Sequence, residues 1–213
     1  MNNNIEFEKG LLGTKAIVKG VWQDSYLKLF AEKEVKELEL NDGKGWHGES
    51  VEFLAFLSDL KSLTIIDFSI KSIEAIYALN GLLKLEISTY SKTPINFNSF
   101  PNLLECGFEW INGSDSLFEI SSLQKLFINN YNSKDSGKFS KLTNLKGLSI
   151  LNSPIEDIKG LSILKNLKTL RLGNLKKITS LQGIQNLHEL EELEIQKCKS
   201  LSDVSEIFGL NKL

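Results

Sequence analysis

Few residues of this 213-residue chain have side chains that could do chemistry: His47 and His188, Cys106 and Cys198, and the closely spaced carboxylates Glu37/Glu39 and Glu192/Glu194. Acid–base or nucleophilic catalysis needs such groups partnered in a sheltered cleft, and a metal needs them clustered. His47 lies in the glycine-rich stretch NDGKGWHGES, which contains G-x-G but lacks the G-K-[ST] ending of a phosphate loop. It reads as a turn loosened by Gly43, Gly45 and Gly48; the alternative is a ligand-touching loop carrying Trp46. His188 has neither a cysteine nor a second histidine near it and reads as a surface residue. The cysteines form no C-x-x-C pair. The two glutamate pairs are i, i+2 neighbours, which one face of a strand would present to solvent. No catalytic centre, cofactor or metal site is expected from this inventory.

The elements that must position these residues come next. With 41% hydrophobic and 24% charged residues, the composition is that of a soluble globular protein. Net charge is −2, and Arg171 is the only arginine, so the guanidinium fork that reads phosphates and bases is nearly absent. Nucleic acid is an unexpected partner. The start MNNNIEFEKG has no basic-then-apolar leader, and no later run is long and apolar enough to span a bilayer. A cytoplasmic protein without membrane contact is therefore expected. A single N-x-S match, at Asn112, is the frequency chance allows in a chain rich in Asn and Ser.

The dominant feature is a repeat. Apolar residues in the stretch LKGLSILNSPIEDIKGLSIL from Leu145 recur in the same register from Val35, Leu60, Leu82, Leu103, Leu123, Leu167 and Leu190, so the period is 20 to 25 residues. In each unit the L-x-x-L-x-I/L segment predicts a strand with its fourth and sixth residues inward. Behind it, Ile155, Ile158, Leu161 and Leu164 follow at near-threefold spacing, as do Ile70, Ile73, Ile76 and Leu79, which predicts a 3₁₀ or short helical return. One such coil cannot bury its apolar side alone, whereas stacked coils bury a continuous core. Cys106 falls on an inward strand position and Cys198 on a turn four units later. Four strand spacings of about 4.8 Å would hold them on the order of 20 Å apart, too far for a disulfide.

This pattern resembles the leucine-rich repeat family, and its 22-residue units look like the internalin-like subclass. The resemblance covers Val35 to the C-terminus. It implies an α/β solenoid: a horseshoe with a parallel β-sheet on the concave face and 3₁₀, short helical or irregular returns on the convex face. The family's usual Asn at the ninth position is replaced by Phe68, Tyr90, Ile111, Tyr131, Ser153, Leu175 and Cys198, of which Cys198 alone matches the permitted Asn/Cys, so wider turns are expected. Residues 1–34 lie outside the repeat. There KAIVKGVW from Lys15 reads as a β-rich run, and Asp24 offers an N-cap to a helix carrying Leu27, Phe30 and Ala31. A strand-plus-helix cap over 1–34, followed by about eight repeat units over 35–213, is the expected organisation. A C-terminal cap is not evident, so the last coil frays, is covered by a partner, or belongs to a longer chain.

The third, fifth and seventh residues of each strand segment face away from the core. Seven of these 24 outward residues are acidic and three are basic. An acidic face around an apolar patch is expected, formed by Ile66, Glu86, Glu105, Glu109, Trp110, Lys125, Phe127, Asn129, Leu151 and Arg171. Aromatic anchors ringed by charge are the make-up of protein-binding hot spots. The function expected is a protein–protein interaction module, an adaptor or inhibitor-like binder for a basic protein partner. Two other readings stay open: the outward apolar residues are ordinary surface, or the chain is an assembly protein that associates end to end through its last repeat.

Overall fold

A strand forms where apolar and polar residues alternate, and each L-x-x-L-x-I/L segment supplies that alternation over five or more residues. In a computed structural model, which describes residues 4–213, every repeat contains such a strand. The chain divides into two compact units, the first ending at Leu103 and the second spanning Leu104–Leu213.

The first unit begins with a hairpin: β1 (Ile5–Lys9) runs antiparallel to β2 (Thr14–Val18). Strand β2 pairs parallel with β3 (Val35–Asn41), and β4 (Ser62–Asp67) and β5 (Lys84–Thr89) follow in order, all parallel. A short helix, α1 (Tyr26–Glu32), connects β2 to β3 and buries Tyr26 and Phe30 edge-on against Trp22, with ring centroids 5.4 and 5.3 Å away. The sequence had pointed to one strand and a helix here. Strand β1 is an addition, and its I-E-F-E-K alternation is a strand pattern. The helix cap also differs. Ser25 rather than Asp24 is the N-cap residue; its backbone is already helical, so its side chain makes no cap bond, and Asp24 takes the Leu27 N–H through its backbone carbonyl. The NDGKGWHGES loop is a tight 3₁₀ turn over Asp42–Lys44, and Trp46 behind it is fully buried, with its ring 6.0 Å from that of Phe53. Trp46 is therefore core rather than a ligand contact, and His47 is exposed.

The second unit is a five-stranded parallel sheet in sequence order: β6 (Glu105–Glu109), β7 (Lys125–Asn129), β8 (Gly147–Leu151), β9 (Thr169–Gly173) and β10 (Glu192–Gln196). Register is set repeat against repeat, so that Cys106, Leu126, Leu148, Leu170 and Leu193 stand side by side, as do Phe108, Ile128, Ile150, Leu172 and Ile195. A slip by one residue would turn both rows into solvent, and the hydrophobic rows exclude it.

The returns are 3₁₀ segments, for example Glu74–Ala78 in the first unit and Gly137–Lys141 and Lys159–Ile163 in the second. Side chains three apart eclipse in a 3₁₀ turn, which is why threefold spacing works. Ile155, Ile158, Leu161 and Leu164 are all completely buried, and so, within one per cent, are Ile70, Ile73, Ile76 and Leu79. Each such side chain contributes roughly 1.5–3 kcal/mol of burial. In four coils of the second unit a polar residue accepts the N–H two residues on: Asp135 from Gly137, Asp157 from Lys159, Ser180 from Gln182 and Asp203 from Ser205. The last coil is less enclosed: Leu193 and Ile195 are half-buried and Phe208 is exposed.

Candidate functional site

The ten residues singled out from the sequence fall on both units, and each unit's outward sheet face is described separately. In the first unit, Ile66 on β4 is half-buried between Asn41 and Ser88 of the neighbouring strands, and Glu86 on β5 stands opposite Thr64. They form no closer constellation there.

The same face shows why the outward charge is not simply acidic. Glu37 and Glu39 on β3 are only 8% and 6% exposed, because the β1–β2 hairpin lies against them. Glu37 Oε1 accepts the Leu12 N–H at 2.5 Å. Glu39 is gripped by Lys15 at 2.7 Å and Lys44 at 2.8 Å, and also accepts from Asn41 Nδ2 at 3.1 Å. Burial pushes the Glu39 carboxyl up, but the hydrogen bonds from Lys15, Lys44 and Asn41 outweigh it and bring the pKa down to about 2. Lys15 is the mirror case: its partial burial works against the charge, and Glu39 and Glu8 raise its pKa nonetheless. The expectation that this glutamate pair is solvated is thus corrected. An antiparallel hairpin covering the strand could not be placed from the repeat pattern.

In the second unit, Phe127 on β7 is 44% exposed and stands directly between Gly107 of β6 and Ser149 of β8. Two small neighbours leave both sides of its ring open. Around it the charges pair across strands. Lys125 meets Glu105 at 2.7 Å from the adjacent register position, and Arg171 Nε meets Glu194 at 3.1 Å in the same way, with Glu192 at 4.0 Å. Both pairs are substantially exposed and contribute little to stability; they set the local pattern of charge instead. Leu151 leans over Gly173, opposite it on β9, where a side chain at position 173 would collide.

Trp110 is elsewhere. Its ring packs against Phe108, Phe118 and Tyr131, with centroids 6.0, 5.9 and 4.9 Å away, as part of an aromatic cluster that also includes Phe139. The reason is parity. The Trp110 N–H donates to the Asn129 carbonyl at 2.8 Å, continuing the ladder beyond β6, so Trp110 shares the inward side with Cys106 and Phe108. The structure does not bring it beside Phe127, and its expected place in the outward apolar patch is corrected.

Glu109 and Asn129 belong to a row of turn contacts. Asn130 Nδ2 donates to Glu109 at 2.8 Å, Asn152 Nδ2 to Asn129 Oδ1 at 2.7 Å, and Asn174 Nδ2 to Asn152 Oδ1 at 2.5 Å. Asn130, Asn152 and Asn174 have φ of 58°, 52° and 54°, the left-handed region that asparagine tolerates best among residues with a side chain. Each also donates its backbone N–H to the next strand.

Among the described residues no three His, Cys, Asp or Glu side chains converge as metal ligands. Both cysteines are free thiols; burial pushes the Cys106 thiol far up, while Cys198 is half-buried with Sγ 3.6 Å from the Leu172 carbonyl.

No family model and no curated protein matches the chain. Solved structures do. Internalin InlF of Listeria monocytogenes is similar over 92% of this chain and 72% of its own, at 17% identity and a TM-score of 0.64. Internalin C2 of the same organism is similar over 75% of this chain and 71% of its own, at 24% identity and a TM-score of 0.57. TLR13, solved in complex with ssRNA13, is similar over 92% of this chain and 30% of its own, at 20% identity and a TM-score of 0.63. The fold is the leucine-rich repeat.

Within that fold, the asparagines absent from the ninth position of each repeat stand one place earlier in three of them. The doublet Asn129-Asn130 and the shared register of Asn130, Asn152 and Asn174 were the signal that could have revealed the ladder. The ninth position in turn carries two exposed aromatic residues in adjacent repeats, Phe68 (41%) and Tyr90 (74%), whose rings lie 4.9 Å apart. They had been counted only as departures from the repeat consensus.

Proposed function

We propose that this leucine-rich repeat chain is a protein-binding module that holds its partner on the outward face of β6–β9, centred on Phe127. The observation that carries the reading is a large aromatic side chain, 44% exposed, between glycine and serine neighbours on a sheet face. A partner side chain can lie along either side of that ring, and burying it completely would supply the kind of contact on which interface affinity concentrates. The Glu105–Lys125 and Arg171–Glu194 pairs supply both signs of charge nearby, so they would orient a partner rather than select a strongly basic one. The role is that of an adaptor or an inhibitor-like binder without catalytic activity, in a reducing, cytoplasmic setting compatible with two free thiols. An RNA partner, as in the TLR13 complex, is disfavoured because the only arginine, Arg171, is already engaged by Glu194.

Affinity capture with the wild-type chain and with Phe127→Ala, quantified by mass spectrometry, tests this. A hot-spot loss of about 2 kcal/mol or more means roughly thirty-fold weaker binding, so a specific partner should drop out of the variant's capture. Capture of the same proteins at the same level by both forms overturns it. A second reading, end-to-end association through the last coil, is favoured by the exposure of Val204 (44%) and Phe208 (88%) on that coil. A sedimentation coefficient independent of concentration would count against it.

A further inference from the structure

The first unit carries a second apolar surface, on the side of the repeat turns rather than on the sheet face. One cleft of about 880 Å³ lies under the Phe68/Tyr90 pair, and a second of about 590 Å³ is walled by Val21, Trp22 and Phe56. They are contiguous: Glu49, Ser50 and Glu52 line both. The apolar walls are exposed, with Val21 at 55%, Phe56 at 73% and Tyr90 at 74%, while Trp22 is backed by Phe53, stacked on it at 3.8 Å. Isolated exposed apolar residues are ordinary, but four on one continuous groove, Val21, Phe56, Phe68 and Tyr90, are not.

Charge decides what fits between the two apolar ends. Asp24, Glu49, Glu52 and Glu74 line the groove, against Lys71 as the single ammonium. Among the described residues none of these four carboxylates is in an ion pair, unlike Glu39, Glu105 and Glu194. The shared ridge between the clefts is therefore anionic and open, and the Tyr90 and Phe68 ring faces beside it are suited to a cation as well as to apolar contact.

We propose that this groove binds an extended basic segment of a protein partner, with apolar side chains seated in the two clefts and a lysine or arginine across the Glu49/Glu52 ridge. The surface is separate from the Phe127 face and does not depend on it. A segment carrying an apolar, a basic and an apolar residue at every second position satisfies both requirements, because consecutive side chains of an extended chain point in opposite directions and every second residue faces the same surface.

The test is fluorescence anisotropy with a short fluorescein-labelled peptide carrying leucine, arginine and leucine at every second position with serine between them, at about 0.15 M salt so that unspecific charge attraction is screened. A second peptide carries glutamate in place of arginine. Saturable binding of the basic peptide alone is expected, weakened about ten-fold or more by Tyr90→Ala, by Phe56→Ala and by Glu52→Lys, and unchanged by Phe127→Ala. All three groove positions are exposed, and thermal melting of each variant checks that the fold is retained. Absence of saturable binding, equal binding of the acidic peptide, or indifference to Tyr90→Ala overturns the proposal. So does concentration-dependent dimerisation abolished by the same variants, which would give the groove to a second copy of this chain. Unchanged partner capture by Phe127→Ala with intact peptide binding would overturn only the sheet-face reading, and loss of capture without peptide binding only the groove.

Discussion

Replacing Glu39 by glutamine should expose the energetics of the buried charge cluster on β3. Glutamine is nearly isosteric and still accepts hydrogen bonds, so Glu39→Gln imitates the protonated carboxyl, and the pH-linked part of the stability is what it removes. The folded-state pKa of about 2 lies below the ordinary 4.5. A depressed carboxyl contributes stability that is fully present above the unfolded-state value and is lost as pH falls through the folded one. At about 1.4 kcal/mol per pH unit, the gap is worth roughly 3 kcal/mol at pH 7. At pH 3 the unfolded-state group is already almost fully protonated while the folded one is still ionised, and only about 1.4 kcal/mol remains. Urea unfolding followed by circular dichroism, for both proteins at both pH values, should show the mutant less stable by about 3 kcal/mol at pH 7 and by less than half of that at pH 3. The double variant with Lys15→Met should lose less than the sum of the single changes, because Lys15 reaches Glu39 at 2.7 Å. A difference below about 1 kcal/mol at pH 7, or one that does not shrink at pH 3, would refute the argument that the lysines hold Glu39 ionised.

Substitutions at two further positions probe how the coils stack. A β-carbon at Gly160 would run into the backbone of Ser136 and Gly137 in the preceding coil, so Gly160→Ala should cost about 1–3 kcal/mol in urea unfolding; an unchanged midpoint would mean that the coils are not held at this spacing. Asn152→Ala should cost about 1–2 kcal/mol, because alanine resists a φ of 52°, and Asn152→Gly should recover the backbone part while still losing the bonds to Asn129 and Asn174. Equal losses in the two Asn152 variants would show that the left-handed turn contributes nothing.

The strands and returns were legible because each coil touches mainly its sequence neighbours, so a local pattern carries the contact it makes. Leu148 and Ile150 are inward because alternation puts them there, and Ile155 to Leu164 are buried because threefold spacing matches a 3₁₀ turn. The cross-strand pairs were implicit as well: Glu105 and Lys125 occupy the same place in successive repeats, and an in-register parallel sheet makes them neighbours. Trp110 was grouped with the outward residues because it follows Glu109 directly, although its parity with Cys106 and Phe108 was readable. The burial of Glu37 and Glu39 was less accessible. It depends on the β1–β2 hairpin, whose docking alongside β3 breaks the repeat and has no counterpart in later units to read it from.

The sequence by itself determined the period, the inward rows, the form of the returns and the leucine-rich repeat fold, because a repeating apolar pattern has one way to bury itself when neighbours stack. Only the tertiary structure decided which of the outward residues are available to a partner. It covered Glu37 and Glu39, packed Trp110 against Tyr131 and Phe118, and left Phe127, Phe68 and Tyr90 open. Exposure and ion pairing depend on what lies beside a residue in space, and for these positions that neighbour comes from a different coil or from outside the repeat altogether.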